Sequence, residues 1–113
     1  MGDTKLADHP KIFPILARAS AHAVRNPDVA DLAPSNPTLT VYDEEHAVTY
    51  MRMLDAEADA ADWHEVCRIV LHIDPEHYPD RARRAFDSHL ARAKWAARVG
   101  YKQLLQRGWP SRA

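Results

Sequence analysis

The sequence predicts a small all-α domain of the helix-turn-helix type with an extended turn, preceded by an irregular N-terminal arm. Apolar residues recur every three or four positions through residues 40–108, which is the spacing of one helical face. No segment alternates apolar and polar residues as a half-buried strand does. The chain has 113 residues, a length that suits one hydrophobic core and not two.

Prolines dominate the beginning of the chain. Five of the eight prolines fall within residues 1–39, namely Pro10, Pro14, Pro27, Pro34 and Pro37. Each disfavours helix at the residue before it, so residues 1–39 are predicted to form an irregular, partly mobile arm. A short apolar run at 12–16 either docks this arm onto the domain or belongs to a short helix at 14–24.

Two helices are expected in the first half of the domain, which we predict over residues 40–108. Thr40-x-x-Asp43 is typical of a capping box, and a helix over about 41–60 follows it. Asp62-x-x-Glu65 is a similar signal and opens a second helix over about 62–72. The apolar stripe of this second helix consists of Trp63, Val66, Cys67 and Val70.

A long connection separates these helices from the C-terminal half. Two prolines break any helix through residues 73–79, and Asp74 or Asp80 can cap the third helix, predicted over about 80–98. Gly100 is expected to end that helix, because glycine favours helix C-termini. A short fourth helix then runs to Gly108, and residues 109–113 form a frayed tail. The predicted core comprises Tyr50, Leu54, Trp63, Val66, Val70, Phe86, Leu90, Leu104 and Leu105.

Charge is unevenly distributed, although the formal net charge is only −1. Residues 43–62 carry seven acids against Arg52, whereas residues 80–113 carry nine basic residues against two acids. A DNA-recognition helix would use Arg81, Arg84 and Arg92 to contact phosphates. The simpler interpretation, which we favour, is a solvated face balanced by the acidic first helix.

Trp95 is expected on the polar side of the third helix, away from Phe86 and Leu90. A tryptophan there either anchors a partner protein or is covered by the arm or the tail, and we slightly favour coverage. The candidate partner-binding residues are Trp95, Arg84, Arg92, Met53 and Tyr78.

No residue pattern indicates catalysis, a metal or a cofactor. His64 and Cys67 lie three apart without an orienting third group, and Cys67 is expected to be a core residue. The histidines match no zinc-ligand spacing, and His89 is expected to be a hydrogen-bonded core residue. The glycines form no phosphate-binding loop. We therefore expect a protein that is not an enzyme and has no metal or cofactor.

The sequence also indicates where in the cell the protein is located. No stretch approaches the roughly 18 consecutive apolar residues of a membrane span. The first residues lack the apolar centre of a secretory signal, and the single cysteine excludes an internal disulfide. We expect a cytoplasmic protein, monomeric and without membrane contact.

Residues 40–105 resemble the proteobacterial domain of unknown function 2285, and more narrowly its single-domain antiactivator members of the QseM type. The stretches that carry the resemblance are Thr40-Val-Tyr-Asp-Glu-Glu-His46, Arg52-Met-Leu-Asp-Ala56, Ala61-Asp-Trp-His-Glu-Val66, Ile73-Asp-Pro75, Arg81-Ala-Arg-Arg84, Ser88-His-Leu-Ala-Arg-Ala-Lys-Trp95 and Gly100-Tyr-Lys-Gln-Leu-Leu105. The last of these is the most specific.

The resemblance implies an extended-turn helix-turn-helix fold and a role in regulating transfer of an integrative and conjugative element. Antiactivator members bind the N-terminal domain of a transcriptional activator of the same family, and a LuxR-type quorum-sensing regulator is a second implied target. The proline-broken residues 1–39 are too short to be an activator's extra domain, which favours the antiactivator side. The alternative is a DNA-binding transcriptional regulator that uses the basic helix at 80–98. For the antiactivator, DNA binding is expected to be weak or absent.

Overall fold

The structure is a computed structural model that describes residues 28–110, and within this range the chain forms helices and no strand. This confirms the predicted all-α class. The helices are α1 (Val41–Glu45), α2 (Ala47–Ala58), α3 (Trp63–Val66), α4 (Pro79–Trp95) and α5 (Tyr101–Arg107). Two π-helical segments, π1 (Cys67–Leu71) and π2 (Ala96–Gly100), extend α3 and join α4 to α5.

The capping box at Thr40 is confirmed. The Thr40 hydroxyl accepts the Asp43 N–H at 3.2 Å, and the Thr40 N–H donates to the Asp43 carboxylate at 2.8 Å. The helix predicted over 41–60 is nevertheless interrupted at His46, which is the last boundary residue of α1 and the residue directly before α2. One predicted helix is therefore two.

The second helix begins after Asp62, as predicted, but the Asp62 side chain makes no capping hydrogen bond. Its carboxylate lies 3.1 Å from His64 Nδ1 instead. The helix ends at His72, which has a left-handed backbone with φ of 60°. Residues 72–78 then form the long connection that the two prolines predict.

The expected caps of the third helix are wrong. Pro79 occupies the first turn of this helix, where backbone N–H groups have no partner within the helix, so the N–H that proline lacks is not needed. Asp80 lies within the first turn, and the Asp74 carboxylate accepts the Glu76 N–H inside the connection.

The expectation that Gly100 ends the third helix is also wrong. Gly100 has helical angles, φ −59° and ψ −34°, and the chain continues without a break from α4 through π2 into α5. A Cβ at this glycine would lie 3.0 Å from both Leu39 and Trp95, so close packing accounts for the residue. Gly108, with φ of 73°, ends α5 as predicted.

The interior consists of two clusters of buried side chains. The first comprises Leu39, Ala47, Tyr50, Leu54, Ala93, Ala96 and Leu104. The second comprises Met53, Val66, Cys67, Leu71, Ile73, Ala82 and Ala85. Leu90 packs against both clusters, whereas Leu105, predicted in the core, is 60 % exposed. Trp109, predicted in a frayed tail, packs against the first cluster.

Residues 28–39 form neither helix nor strand, which confirms the irregular arm over this range. Side chains of the helices accept hydrogen bonds from two backbone N–H groups of this segment: the Ala30 N–H donates to the Tyr42 hydroxyl, and the Ala33 N–H donates to Ser88 Oγ. The predicted docking run at 12–16 and the alternative helix at 14–24 lie outside the described residues.

Candidate protein-binding site

A buried ion pair between α1 and α4 organises the site. Arg92 is 5 % exposed and Asp43 1 %, and the guanidinium donates to both carboxylate oxygens, at 3.0 and 2.7 Å. The Tyr50 hydroxyl donates to the same carboxylate at 2.6 Å. Burial by itself would raise the pKa of Asp43, but the hydrogen bonds from Arg92 and Tyr50 outweigh it and lower that pKa below its ordinary value.

This geometry corrects the expected position of Arg92. As a phosphate contact, a partner contact or part of a solvated face, Arg92 was expected at the surface, whereas the structure places it inside. The physical reason is Asp43, which meets Arg92 across 49 residues of sequence and neutralises its charge in the interior. Sequence spacing carries no sign of such a long-range pair.

Arg92 also holds the arm against α4. Its guanidinium donates to the carbonyls of Asn36 at 2.6 Å and Thr38 at 2.9 Å. On α5, Gln103 accepts a hydrogen bond from the Leu39 N–H at 2.9 Å and donates one to the Pro37 carbonyl at 2.7 Å. The segment 36–39 is thus fixed by two long side chains.

A groove of about 310 Å³ lies between the arm and α4, and we call it the Trp95 groove. Its lining residues are Ala33, Pro34, Ser35, Asn36, Pro37, Ser88, Ala91, Arg92 and Trp95. Trp95 is half-buried, and the Arg92 guanidinium carbon lies 3.9 Å from the centre of its ring system. The tryptophan is therefore partly covered by its own chain and also lines an open, largely apolar surface.

The other candidate partner residues lie elsewhere. Met53 is 1 % exposed and belongs to the second buried cluster, so its expected surface position is wrong. Tyr78 is 54 % exposed in the connection before α4, and Arg84 is exposed on α4. None of the three lines the Trp95 groove.

Carboxylates neutralise much of the basic helix. Arg81 donates to Asp31 at 2.7 Å, Arg83 to Asp87 at 3.2 Å, and Lys94 lies 2.6 Å from Glu57. Of the three arginines predicted to contact DNA, Arg84 alone takes part in none of the ion pairs within residues 28–110. The set Arg81, Arg84 and Arg92 does not form one free cationic face.

His89 is a core residue, as predicted. It is fully buried, and its Nδ1 lies 2.8 Å from the Ala85 carbonyl, which can only accept a hydrogen bond. Nδ1 therefore carries the proton and Nε2 accepts from the Tyr42 hydroxyl. Burial lowers the pKa of His89, in keeping with a neutral ring.

Cys67 is likewise a core residue, as predicted. It is fully buried beside the Ala82 carbonyl, and burial raises the pKa of its thiol to about 11. At neutral pH the sulfur is a protonated, enclosed thiol and not a nucleophile.

The structure and comparisons give no further chemical assignment. Within residues 28–110, no three His, Cys, Asp or Glu side chains converge on a possible metal position. No helix of the described range combines the length and apolar character needed to cross a membrane. No protein-family model matches the chain, and no curated protein matches it.

Proposed function

We propose that this protein is an antiactivator that binds and sequesters a transcriptional activator and so represses transfer of an integrative and conjugative element. The observation that carries the proposal is the buried Arg92–Asp43 pair. It removes from the surface a cation that a DNA-recognition helix would need, and it fixes the arm that forms one wall of the Trp95 groove.

The proposed mechanism is competitive occupation. The N-terminal domain of an activator of the same family packs against the helical surface around Trp95, and its promoter contacts are then lost. A LuxR-type regulator is the second proposed target. The Trp95 groove suits this role because an apolar centre framed by polar side chains is the usual anatomy of a protein interface.

A DNA-binding regulator remains the second candidate, and a specific observation favours it. Exposed cations without an ion pair in the described part of the chain lie along the continuous helix from α4 to α5, namely Arg84, Arg98, Lys102 and Arg107. Such cations attract phosphates without reading sequence. If the protein is an antiactivator, these cations should give a dissociation constant for DNA no tighter than about 10⁻⁶ M at physiological salt, which is the non-specific range.

Co-purification from a donor strain, followed by titration of the retained activator's isolated N-terminal domain, tests the antiactivator proposal. The variant Ala91→Arg fills the Trp95 groove from an exposed position, and Ala61→Arg makes the same change outside it. We expect the first to weaken binding at least tenfold and the second to change it less than twofold. Equal affinities for all three proteins would overturn the proposed surface.

Gel-shift measurements on the element's transfer promoter separate the two candidate functions. Weak binding that disappears as salt is raised agrees with the antiactivator. Nanomolar, sequence-selective binding would overturn it and establish the DNA-binding regulator.

A further inference from the structure

A second groove, on a different side of the long helix, has properties of its own. It occupies about 480 Å³ between α2 and the junction of α4 with π2, and it shares no lining residue with the Trp95 groove. Leu54, Ala58 and Ala97 form its apolar floor, and Glu57, Lys94 and Arg98 form its rim. Because Ala58 and Ala97 carry the smallest apolar side chains, the two helices leave room between them.

The π-helical turn lies at this groove. Ala97 and Arg98 both belong to π2, which widens the helix over Ala96–Gly100. Single π-helical turns inside longer helices are frequent at functional sites. Here the turn presents a small side chain to the floor and a cation to the rim.

The surface continues beyond the groove along α5. Lys102 and Leu105 lie three residues apart on α5, which continues directly from π2, and residues at this spacing share a helix face. Arg98 and Lys102 are exposed without a carboxylate partner among the residues described, and Leu105 is 60 % exposed. Among the described residues, the helix thus offers two cations outside any ion pair, one of them on the groove's rim, and an exposed leucine on the segment that follows.

We propose that this surface, which we call the Arg98 groove, binds an acidic amphipathic helix of a partner protein. An aliphatic side chain of that helix enters the groove over Ala58 and Ala97. Carboxylates one turn apart pair with Arg98 and Lys102, and its apolar edge covers Leu105. In this binding mode an amphipathic helix lays its apolar face into a hydrophobic groove. The cations beside the groove select a helix that carries acidic residues next to that face. The proposal is independent of partner binding at the Trp95 groove.

The observations favour an acidic helix over nucleic acid. A phosphate backbone needs cations and gains nothing from an apolar floor or an exposed leucine. An acidic helix can satisfy Arg98 and Lys102 while burying the apolar surface between them.

Fluorescence anisotropy of the full chain with a labelled 16-residue peptide tests the proposal. The peptide is built from leucine, alanine and glutamate, with leucines along one helical face and glutamates beside them. A scrambled peptide of the same composition keeps the charge and removes the apolar face. We expect the patterned peptide to bind at least tenfold more tightly, and its addition to shift amide resonances of residues 54–58 and 94–98.

Two substitutions of equal charge locate the site. Arg98→Glu reverses a cation of the groove, and Arg84→Glu reverses an exposed, carboxylate-free cation elsewhere on the same long helix. We expect at least a tenfold loss of affinity for the first and less than a twofold loss for the second. Ala58→Phe, which fills the groove, should abolish peptide binding with the circular dichroism spectrum unchanged.

Three results would overturn the proposal. The first is equal binding of the patterned and scrambled peptides, or equal losses for both arginine variants, since either indicates general electrostatic attraction. The second is displacement of the patterned peptide by a 20-base-pair DNA duplex through the same residues. The third is a sedimenting dimer that Ala58→Phe dissociates, because the groove would then be occupied by a second copy of this chain.

Discussion

At the scale of single residues, the Arg92–Asp43 pair is the interaction on which most of the other contacts depend. It joins α1 to α4, receives the Tyr50 hydroxyl and holds two carbonyls of the arm. The capping box that places Asp43 is readable from Thr40-x-x-Asp43 alone. The pairing of Asp43 with Arg92 cannot be predicted in this way, because the two residues lie 49 positions apart and sequence spacing does not show which distant residues meet.

Asp43→Asn should lower the free energy of unfolding by about 3–5 kcal/mol, since it leaves the buried Arg92 charge without its counter-ion. Asp87→Asn is the matched control, because Asp87 pairs with Arg83 at an exposed surface and its loss should change stability by less than about 1 kcal/mol. Urea unfolding of the three proteins measures the difference. Similar losses for both variants would contradict a special role for the buried pair.

A second residue-scale prediction concerns Ala60, which has a φ of 56° between α2 and α3. The left-handed conformation costs a residue with a Cβ about 1–2 kcal/mol, and glycine avoids this cost. Ala60→Gly should therefore raise the free energy of unfolding by about 1 kcal/mol. Ala61→Gly, at the neighbouring exposed position without positive φ, should lower it. Thermal unfolding of both variants checks the opposite signs.

At the scale of elements, helical periodicity predicts which segments are helical better than where they end. The segments at 41–60, 62–72 and 80–98 all contain helices, and the short fourth helix, α5, ends at Gly108 as predicted. The break at His46 and the two π-helical turns have no local signal, because they depend on how the helices pack. Gly100 illustrates the limit: propensity predicts a stop, whereas contact with Leu39 and Trp95 makes it a close-packed helical residue.

Gly100→Ala tests this interpretation of the long helix. Helix propensity alone would make the substitution stabilising by up to about 1 kcal/mol. The added Cβ, however, would lie 3.0 Å from Leu39 and from the Trp95 ring, and overpacking of this kind is usually destabilising by about 1–3 kcal/mol. We expect a net loss of about 1 kcal/mol in urea unfolding. A gain would mean that these side chains move aside without cost.

At the scale of the whole molecule, the two buried clusters and residues 28–39 of the arm form one body. Leu90 contacts both clusters, and Arg92 and Gln103 fasten the arm to the long helix. Of the nine predicted core residues, four are buried, four pack partly buried against the clusters, and Leu105 is exposed. The prediction missed Leu39, Leu71 and Ile73, which lie in or beside the irregular segments, and it placed Trp109 in a frayed tail. The candidate site was harder to predict: Trp95 was singled out, but its groove exists because an irregular segment with no sequence periodicity lies beside α4.

Acidification should destabilise the whole domain through two groups with lowered pKa values, His89 and Asp43. Burial lowers the pKa of His89 below 6.5, so the unfolded chain binds a proton that the folded domain excludes. The contribution of His89 to the free energy of unfolding is therefore fully present above about pH 6.5. It falls as the pH decreases toward the lowered pKa, by at most about 1.4 kcal/mol per pH unit. Asp43 adds a further loss below its ordinary value of 3.8, because its hydrogen bonds to Arg92 and Tyr50 favour the carboxylate.

Urea unfolding at pH 7.5, 6.5, 5.5 and 4.5 measures this slope, and His89→Gln assigns it. Glutamine cannot be protonated in this range but can accept a hydrogen bond from the Tyr42 hydroxyl. We expect the variant to be less stable than the natural protein at pH 7.5 and to lose less stability between pH 6.5 and 4.5. The surface pair His77–Asp74 changes stability with pH in the opposite direction, since Asp74 raises the pKa of His77 and stabilises its protonated form. Both side chains are exposed, so solvent weakens this contribution. An unchanged slope in His89→Gln would place the acid sensitivity at another group.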